Sequence, residues 1–255
     1  HYQTTPRDRW DYTATQQIML ADLPLGENGA ERRVVMQAPK NGFFYVLDAA
    51  DGELISATPF TNQNWTTGEF DENGRPVLVE EAVDLALYAV VPGPTGAHNW
   101  HPMAFNPDTG LVYIPVNEIP FFYDKTRNVE ESKSFWNIGY DAAAGWPVEY
   151  PAGTLDAVAG LDGGSLLAWD PVKAEPRWAV PFALPLNGGV LSTDAGLVFQ
   201  GNKFGDLVAY DAENGEQLWS ERLVGNAAAA PMTYEIDGEQ YLSVLSGWGS
   251  VSKLI

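Results

Sequence analysis

The sequence contains no cysteine, only 14 lysines and arginines against 34 aspartates and glutamates, and three histidines among 255 residues. Without thiols there is no disulfide framework, no zinc ribbon and no cysteine nucleophile, and the redox compartment leaves no mark in sulfur chemistry. A net charge of −20 repels polyanions, which argues against nucleic acid or an anionic bilayer as partner. The same surplus favours solubility; gathered on one face it would steer a basic redox partner, but the sequence locates no such face. No apolar run is long enough for a membrane-crossing helix and no signal peptide opens the chain, so no membrane insertion is expected of this segment. The chain opens at His1 rather than methionine and continues with the strand-like Tyr2-Gln3-Thr4-Thr5, which reads as a segment that starts and ends inside a larger protein.

What is present is a 45% hydrophobic composition with 25 glycines and 18 prolines, enough to bury a core and rich in turns. Self-similarity organises it. Ala168-Trp169-Asp170 leads through a polar turn to Trp178, and Ala209-Tyr210-Asp211 leads through another to Trp219, each tryptophan ten residues after its alanine. The two copies lie about 40 residues apart, the length of one four-stranded propeller blade. Weaker copies fall at Tyr45–Glu53 and Ala104–Leu111. Runs such as Leu207-Val208-Ala209-Tyr210 are strand formers, and Asp-x-x-x-Gly supplies the side-chain acceptor and the positive-φ residue of a tight hairpin. The tryptophan lands on the next strand, where it packs between blades and seeks an acceptor for its indole N–H. An all-β fold of about four blades is therefore expected, too few to close a ring. Between Asn117 and Ala159 the rhythm gives way to Pro120-Phe121-Phe122-Tyr123 and Ala144-Gly145-Trp146-Pro147, expected to form an ordered excursion on one propeller face.

The alanine–aspartate–tryptophan copies resemble the tryptophan-docking motifs of the quinoprotein dehydrogenases. More specific segments point to the alcohol dehydrogenases of that family: Tyr2–Pro6 followed by Trp10-Asp11-Tyr12-Thr13-Ala14-Thr15-Gln16, then Gln37-Ala38-Pro39-Lys40-Asn41-Gly42, Gly96-Ala97-His98-Asn99-Trp100-His101-Pro102, and Asn187-Gly188-Gly189-Val190. The resemblance covers nearly the whole chain. It implies that residues 1–255 are the C-terminal part of an eight-bladed β-propeller in a periplasmic enzyme that oxidises a small alcohol with pyrroloquinoline quinone (PQQ) beside a calcium ion. It also implies delivery of electrons to a cytochrome c-type acceptor, with haem c in a domain outside this chain in some members. Leu186, where relatives often carry tryptophan, and Ala97, in place of a frequent glycine, depart from the pattern.

By the same resemblance Asp11 is the general base and a calcium ligand, Lys40 is the cation beside the quinone oxygens, and Asn99, Trp100 and Val190 line the cofactor. The chemistry suits these residue types. A carboxylate accepts the hydroxyl proton and ligates a hard cation, a lysine stabilises developing negative charge, and an amide with an indole suits a flat polar heterocycle. Without that context, Asp11 reads as a turn cap and Lys40 as a solvated strand end. His98 and His101, three apart, lack a third soft ligand and make a poor metal pair. Lanthanide-using relatives carry an aspartate two residues after the catalytic one, where Thr13 stands here, so calcium is the expected ion. The remaining calcium ligands, the paired cysteines and the tryptophan floor of the quinone pocket lie upstream in the family, so this segment alone is expected to bind no cofactor. Two rivals remain: a non-catalytic propeller of the outer-membrane assembly kind, which shares the repeat but has no use for Asp11, Lys40 and Asn99-Trp100 on one face, and a sugar dehydrogenase of the same superfamily, disfavoured by Trp10-Asp11-Tyr12-Thr13.

Overall fold

The computed structural model describes residues 1–84, 88–123, 160–161 and 163–247. In chain order, β1 (Met19–Leu23), β2 (Arg32–Gln37), β3 (Phe43–Asp48) and β4 (Leu54–Pro59) form one four-stranded antiparallel sheet. A hairpin of β5 (Thr66–Phe70) and β6 (Pro76–Leu78) and the short α1 (Glu80–Asp84) follow, then β7 (Tyr88–Val90). Next come β8 (Ala104–Asn106), β9 (Leu111–Asn117), β10 (Phe121–Tyr123), which pairs with β7, and β11 (Gly164–Asp170) and β12 (Glu175–Phe182), which complete a second sheet with β8 and β9. β13 (Val190–Ser192), β14 (Leu197–Gly201), β15 (Asp206–Asp211) and β16 (Gln217–Arg222) make a third, and β17 (Met232–Ile236) pairs with β18 (Glu239–Ser243).

The sheets stack face to face, which is why central strands bury both faces. In β3, Phe44 and Val46 face the second sheet's Val112, Ile114, Leu167 and Trp169, while Phe43 and Tyr45 face an aromatic cluster around Trp10, Tyr12 and Trp65. Tyr113, Leu166 and Ala168 of the second sheet pack in turn on Val190, Val198, Val208 and Tyr210 of the third. By contrast the third sheet's outermost strand, β16, is exposed along its whole length.

The repeat read from sequence is the turn joining paired strands. Asp48, Asn106, Asp170 and Asp211 each accept, through a side-chain oxygen, the N–H two residues on. Gly52, Gly110 and Gly215 close three of these turns at φ +81°, +69° and +76°, whereas Ala174 takes φ +55° in the fourth. Ala168 pairs across its ladder with Trp178, and Ala209 with Trp219. The Trp178 indole donates to Ala212 O of the next sheet at 3.1 Å and covers Gly215, where a Cβ would stand 2.7 Å from the ring. That is the docking expected of the motif. Trp219 is 44% exposed.

Three expectations change. The complete four-stranded sheets number three among the described residues, because the copies at Ala104 and Ala168 are the two lower turns of one sheet and not separate blades. Tyr2–Thr5 forms no strand; its polar groups serve other side chains, with Thr4 O accepting from Asn41 and Tyr45. Of the excursion, Phe121–Tyr123 is strand β10, while residues 124–159, including Ala144–Pro147, lie outside the described residues.

Candidate active site

Asp11 sits on a loop that the surrounding residues leave no freedom. Trp10 and Tyr12 on either side are 1% and 2% exposed, and with Trp65 they form a cluster whose ring centroids lie 5.3–5.5 Å apart. The Trp10 indole donates to Ala82 O at 3.0 Å, and the Trp10 carbonyl accepts from the Tyr123 hydroxyl at 3.1 Å. The Tyr12 hydroxyl donates to Pro92 O. With both neighbours facing inward, Asp11 is driven to φ +66°, a left-handed conformation that costs a non-glycine residue about 1–2 kcal/mol. Its side chain points outward, 61% exposed.

Sequence reasoning overlooked Asp8. Its Oδ1 accepts the Trp10 N–H at 2.8 Å and its Oδ2 the Tyr12 N–H at 2.6 Å, so one carboxylate brackets the Asp11 peptide. Burial is the main influence on this carboxyl and pushes its pKa up, opposed by those two N–H bonds. The visible signal was an aspartate two and four residues before inward-facing aromatics, a local cap of the kind short polar residues provide.

Lys40 occupies the tight β2–β3 turn on the same face. Its Nζ donates to the Asp11 main-chain oxygen at 2.9 Å and to Oδ2 at 3.0 Å, leaving one of three N–H bonds to offer outward. The side chain is 9% exposed against 61% for Asp11. Gly96 lies over it: a Cβ there would stand 2.3 Å from Lys40 Cγ, and Gly96 itself has φ +77°. Ala97 N donates to Lys40 O at 2.9 Å and Ala97 O accepts from Asn117 N at 2.7 Å, so the departure to alanine leaves the main-chain link in place.

The 96–102 turn is tied to the Lys40 turn by Ala97, and the 187–190 turn to the 96–102 turn by the Val190 N–H on Pro102 O. Asn99 donates through Nδ2 to Thr95 O at 2.7 Å and accepts Trp100 N–H through Oδ1 at 2.8 Å, so part of its amide is committed to its own turn. Trp100 is 48% exposed and stacks on His101 with centroids 4.0 Å apart, presenting an open aromatic plane. Val190 is 4% exposed, its side chain in the apolar core, and its N–H reaches Pro102 O at 2.7 Å. Leu186, at φ +58°, donates its N–H to Asn117 Oδ1 at 2.7 Å. The ring nitrogens of His98 lie 2.7 Å from Ala38 O and 2.7 Å from His101 O.

A quinone and a hard cation fit this donor set in part. Asp11 offers an outward carboxylate whose Oδ1 has only a 3.4 Å contact, from Thr13 Oγ1; Lys40 offers a fixed cation, and Trp100 a flat ring. Each Asp8 oxygen accepts one main-chain N–H. Among the described residues no group of three His, Asp or Glu side chains converges on a metal.

Comparison with known proteins places these features. Residues 1–72 and 163–242 match the family described as "PQQ: glucose/ethanol/alcohol dehydrogenase, beta-propeller domain", over half of the chain. The chain is 46% identical over 258 residues to quinohemoprotein alcohol dehydrogenase ADH-IIG of Pseudomonas putida, covering 98% of this chain and 35% of the relative. The solved structure of that enzyme superposes with a TM-score of 0.85, at 45% identity, over 97% of this chain and 36% of that one. A 1-butanol dehydrogenase (cytochrome c) of Thauera butanivorans is 42% identical over 98% of this chain and 36% of its own length. A europium-containing methanol dehydrogenase structure matches at TM-score 0.79 and 30% identity, over 96% of this chain and 42% of that one. The chain thus spans about a third of the length of the curated relatives it matches. Motif, fold and kinship agree, and the chain belongs to the PQQ-dependent glucose, ethanol and alcohol dehydrogenase β-propeller family.

Proposed function

We propose that this chain is the part of a PQQ-dependent alcohol dehydrogenase that carries the proton acceptor, and that the full-length protein oxidises a primary or secondary alcohol to the aldehyde or ketone. The observation that carries the reading is the Asp11–Lys40 pair, a carboxylate held at a strained backbone angle against a nearly buried lysine. Strain of this kind persists where the surroundings over-determine it, and it clusters at functional sites.

When bound, the quinone supplies a two-electron acceptor for the carbinol hydride, with a calcium ion beside it as Lewis acid. The chain's own residues do the rest. Asp11 would hold the cation through its carboxylate, and Oδ1, the oxygen not held by Lys40, takes the hydroxyl proton. Lys40 keeps Oδ2 fixed, so the carboxylate is oriented before substrate arrives, and its remaining N–H is available to oxygens on which negative charge develops. Asn99 and Trp100 would hold the quinone, the one through its amide and the other through its indole ring, whereas the side chain of Val190 lies in the apolar core and is not placed to line it. Thr13 adds a neutral hydroxyl rather than a carboxylate, which suits a divalent ion better than a trivalent one.

A small alcohol substrate, a cytochrome c-type acceptor, haem c elsewhere in the full-length protein and a periplasmic site belong to the same reading and rest on family resemblance. So does the expectation that residues 1–255 alone bind no cofactor. The rival reading, a binding scaffold, gains no support from a strained aspartate paired with a lysine.

Asp11→Asn in the full-length protein is the test. It keeps size and one ligating oxygen but removes the base, so turnover should fall by roughly 10²–10⁴ while quinone absorbance persists. Near-normal turnover at full metal and quinone loading would exclude Asp11 as the base, and a full-length protein that binds no quinone would exclude the assignment.

A further inference from the structure

His98 is fully buried, with 0% exposure, in a turn whose neighbours Asn99 and Trp100 face the site. Its Nδ1 lies 2.7 Å from Ala38 O and its Nε2 2.7 Å from His101 O. Ala38 begins the turn that carries Lys40; His101 stacks under Trp100. The His98 main-chain oxygen accepts in turn from Gln16 Nε2 at 3.0 Å, and Gln16 closes the segment that begins at Asp11. Gln16 is itself anchored, its carbonyl accepting from Gln37 Nε2 at 2.8 Å.

One residue therefore touches all three segments that bear the candidate groups: the Asp11 segment through its carbonyl, the Lys40 turn through one ring nitrogen, and the Asn99–Trp100 turn through the other. Burial keeps the ring neutral, so it carries one N–H and donates to one of these two carbonyls while its other nitrogen lies against the second. The site has little room for error. Gly96 already approaches Lys40 so closely that a single added carbon would collide with it, and misplacement of reacting groups by about 1 Å costs on the order of 10² in rate.

We infer that His98 is a positioning residue, a three-way junction that fixes the spacing between Asp11, Lys40 and the Asn99–Trp100 plane and so sets how tightly and in what orientation the quinone is held. This deepens the proposed function and rests on it. His98 touches neither substrate nor cofactor; it acts through the turns it ties together.

The test uses the full-length protein with PQQ as the probe. His98→Phe preserves the ring and removes its one hydrogen bond to a main-chain carbonyl; His98→Gln retains an amide N–H able to donate to one carbonyl. The readouts are quinone affinity, measured by spectral titration of the metal-loaded apoprotein, the position of the bound quinone's absorption band, and kcat and KM for the alcohol. The expected result for His98→Phe is a loss of about 10–100-fold in quinone affinity and kcat, a displaced absorption band and a KM changed less than about threefold, with partial rescue in His98→Gln. Parent-like affinity, band and kcat in folded His98→Phe would overturn the inference. If His98→Phe does not fold, Gln16→Met decides, since it cuts only the link to the Asp11 segment: a fall of about tenfold in kcat with the band shifted supports the junction, and unchanged values overturn it. A parent protein that binds no PQQ counts against the proposed function itself, so the two failures are distinct.

Discussion

Lys40 Nζ holds both the main-chain oxygen and the carboxylate of Asp11, at 2.9 and 3.0 Å, so one cation fixes the backbone and the side chain of the same strained residue. The Coulombic gain from such a pair is small, because the carboxylate is 61% exposed and solvent screens it. Its value lies in orientation. Lys40→Met, which keeps the length of the side chain and removes the charge, should therefore change the unfolding midpoint of the full-length protein little and lower kcat by about 10². A large loss of stability with kcat unchanged would show that the pair serves the fold and not the chemistry.

Asp8 supports the same loop from beneath, with one oxygen on each of the N–H groups flanking Asp11. Asp8→Ala leaves both donors without their acceptor and should lower kcat by roughly 10–100-fold with quinone still bound. Asp8→Asn retains one acceptor oxygen and should recover part of the loss. Equal kcat in Asp8→Ala and the parent protein would show that the aromatic anchors alone hold the loop.

Much of this was legible in the sequence, and the gaps have physical causes. The turn chemistry of Asp211–Gly215 and the docking of Trp178 could be read off directly, since an acceptor, a positive-φ glycine and a large indole each admit few geometries. Blade number could not, because the same turn serves two positions in one sheet: Asn106–Gly110 and Asp170–Ala174 join neighbouring strands of the second sheet. Asp11 and Lys40 stood out through resemblance, 29 residues apart in sequence and in direct contact in the fold. Asp8 did not, and His98 stood out only as half of a weak metal pair, because what marks them is bonding to main-chain atoms brought close only by folding.

The turns themselves supply a graded test. Gly52 and Gly110 have positive φ and open space around a Cβ, whereas a Cβ on Gly215 meets the Trp178 ring at 2.7 Å. Gly52→Ala and Gly110→Ala should each cost about 1–2 kcal/mol for the left-handed conformation alone, and Gly215→Ala more, since it also displaces the docked indole. Ala174, already at φ +55°, should respond in the opposite sense. Ala174→Gly should stabilise by about 0.5–1 kcal/mol, relief of strain outweighing the added freedom of the unfolded chain. Denaturant midpoints of the four variants provide the ranking, and a Gly215→Ala no worse than Gly52→Ala would mean that Trp178 can retreat without loss.

His101 gives the stability its pH dependence at this face. Burial, reinforced by His98 nearby, lowers its pKa from 6.5 to about 4, and burial also lowers that of His98. The unfolded chain therefore binds protons at these positions at a higher pH than the folded one does. Between pH 6.5 and about 4 the unfolded state carries the larger proton load, so stability rises with pH across that window and the full contribution is present above it. Acidification from pH 7 to 4 should remove roughly 3 kcal/mol through His101, from a shift worth about 1.4 kcal/mol per pH unit. His101→Gln removes this titration, so the parent should lose more stability than the variant over that interval, by about that amount. The comparison is made by urea denaturation of the full-length protein at pH 7, 5.5 and 4. Because the carboxylates are common to both proteins, their own acid response cancels in the difference. Parallel losses in parent and variant would mean that His101 becomes protonated in the folded protein as readily as in the unfolded chain, and that burial does not keep it neutral.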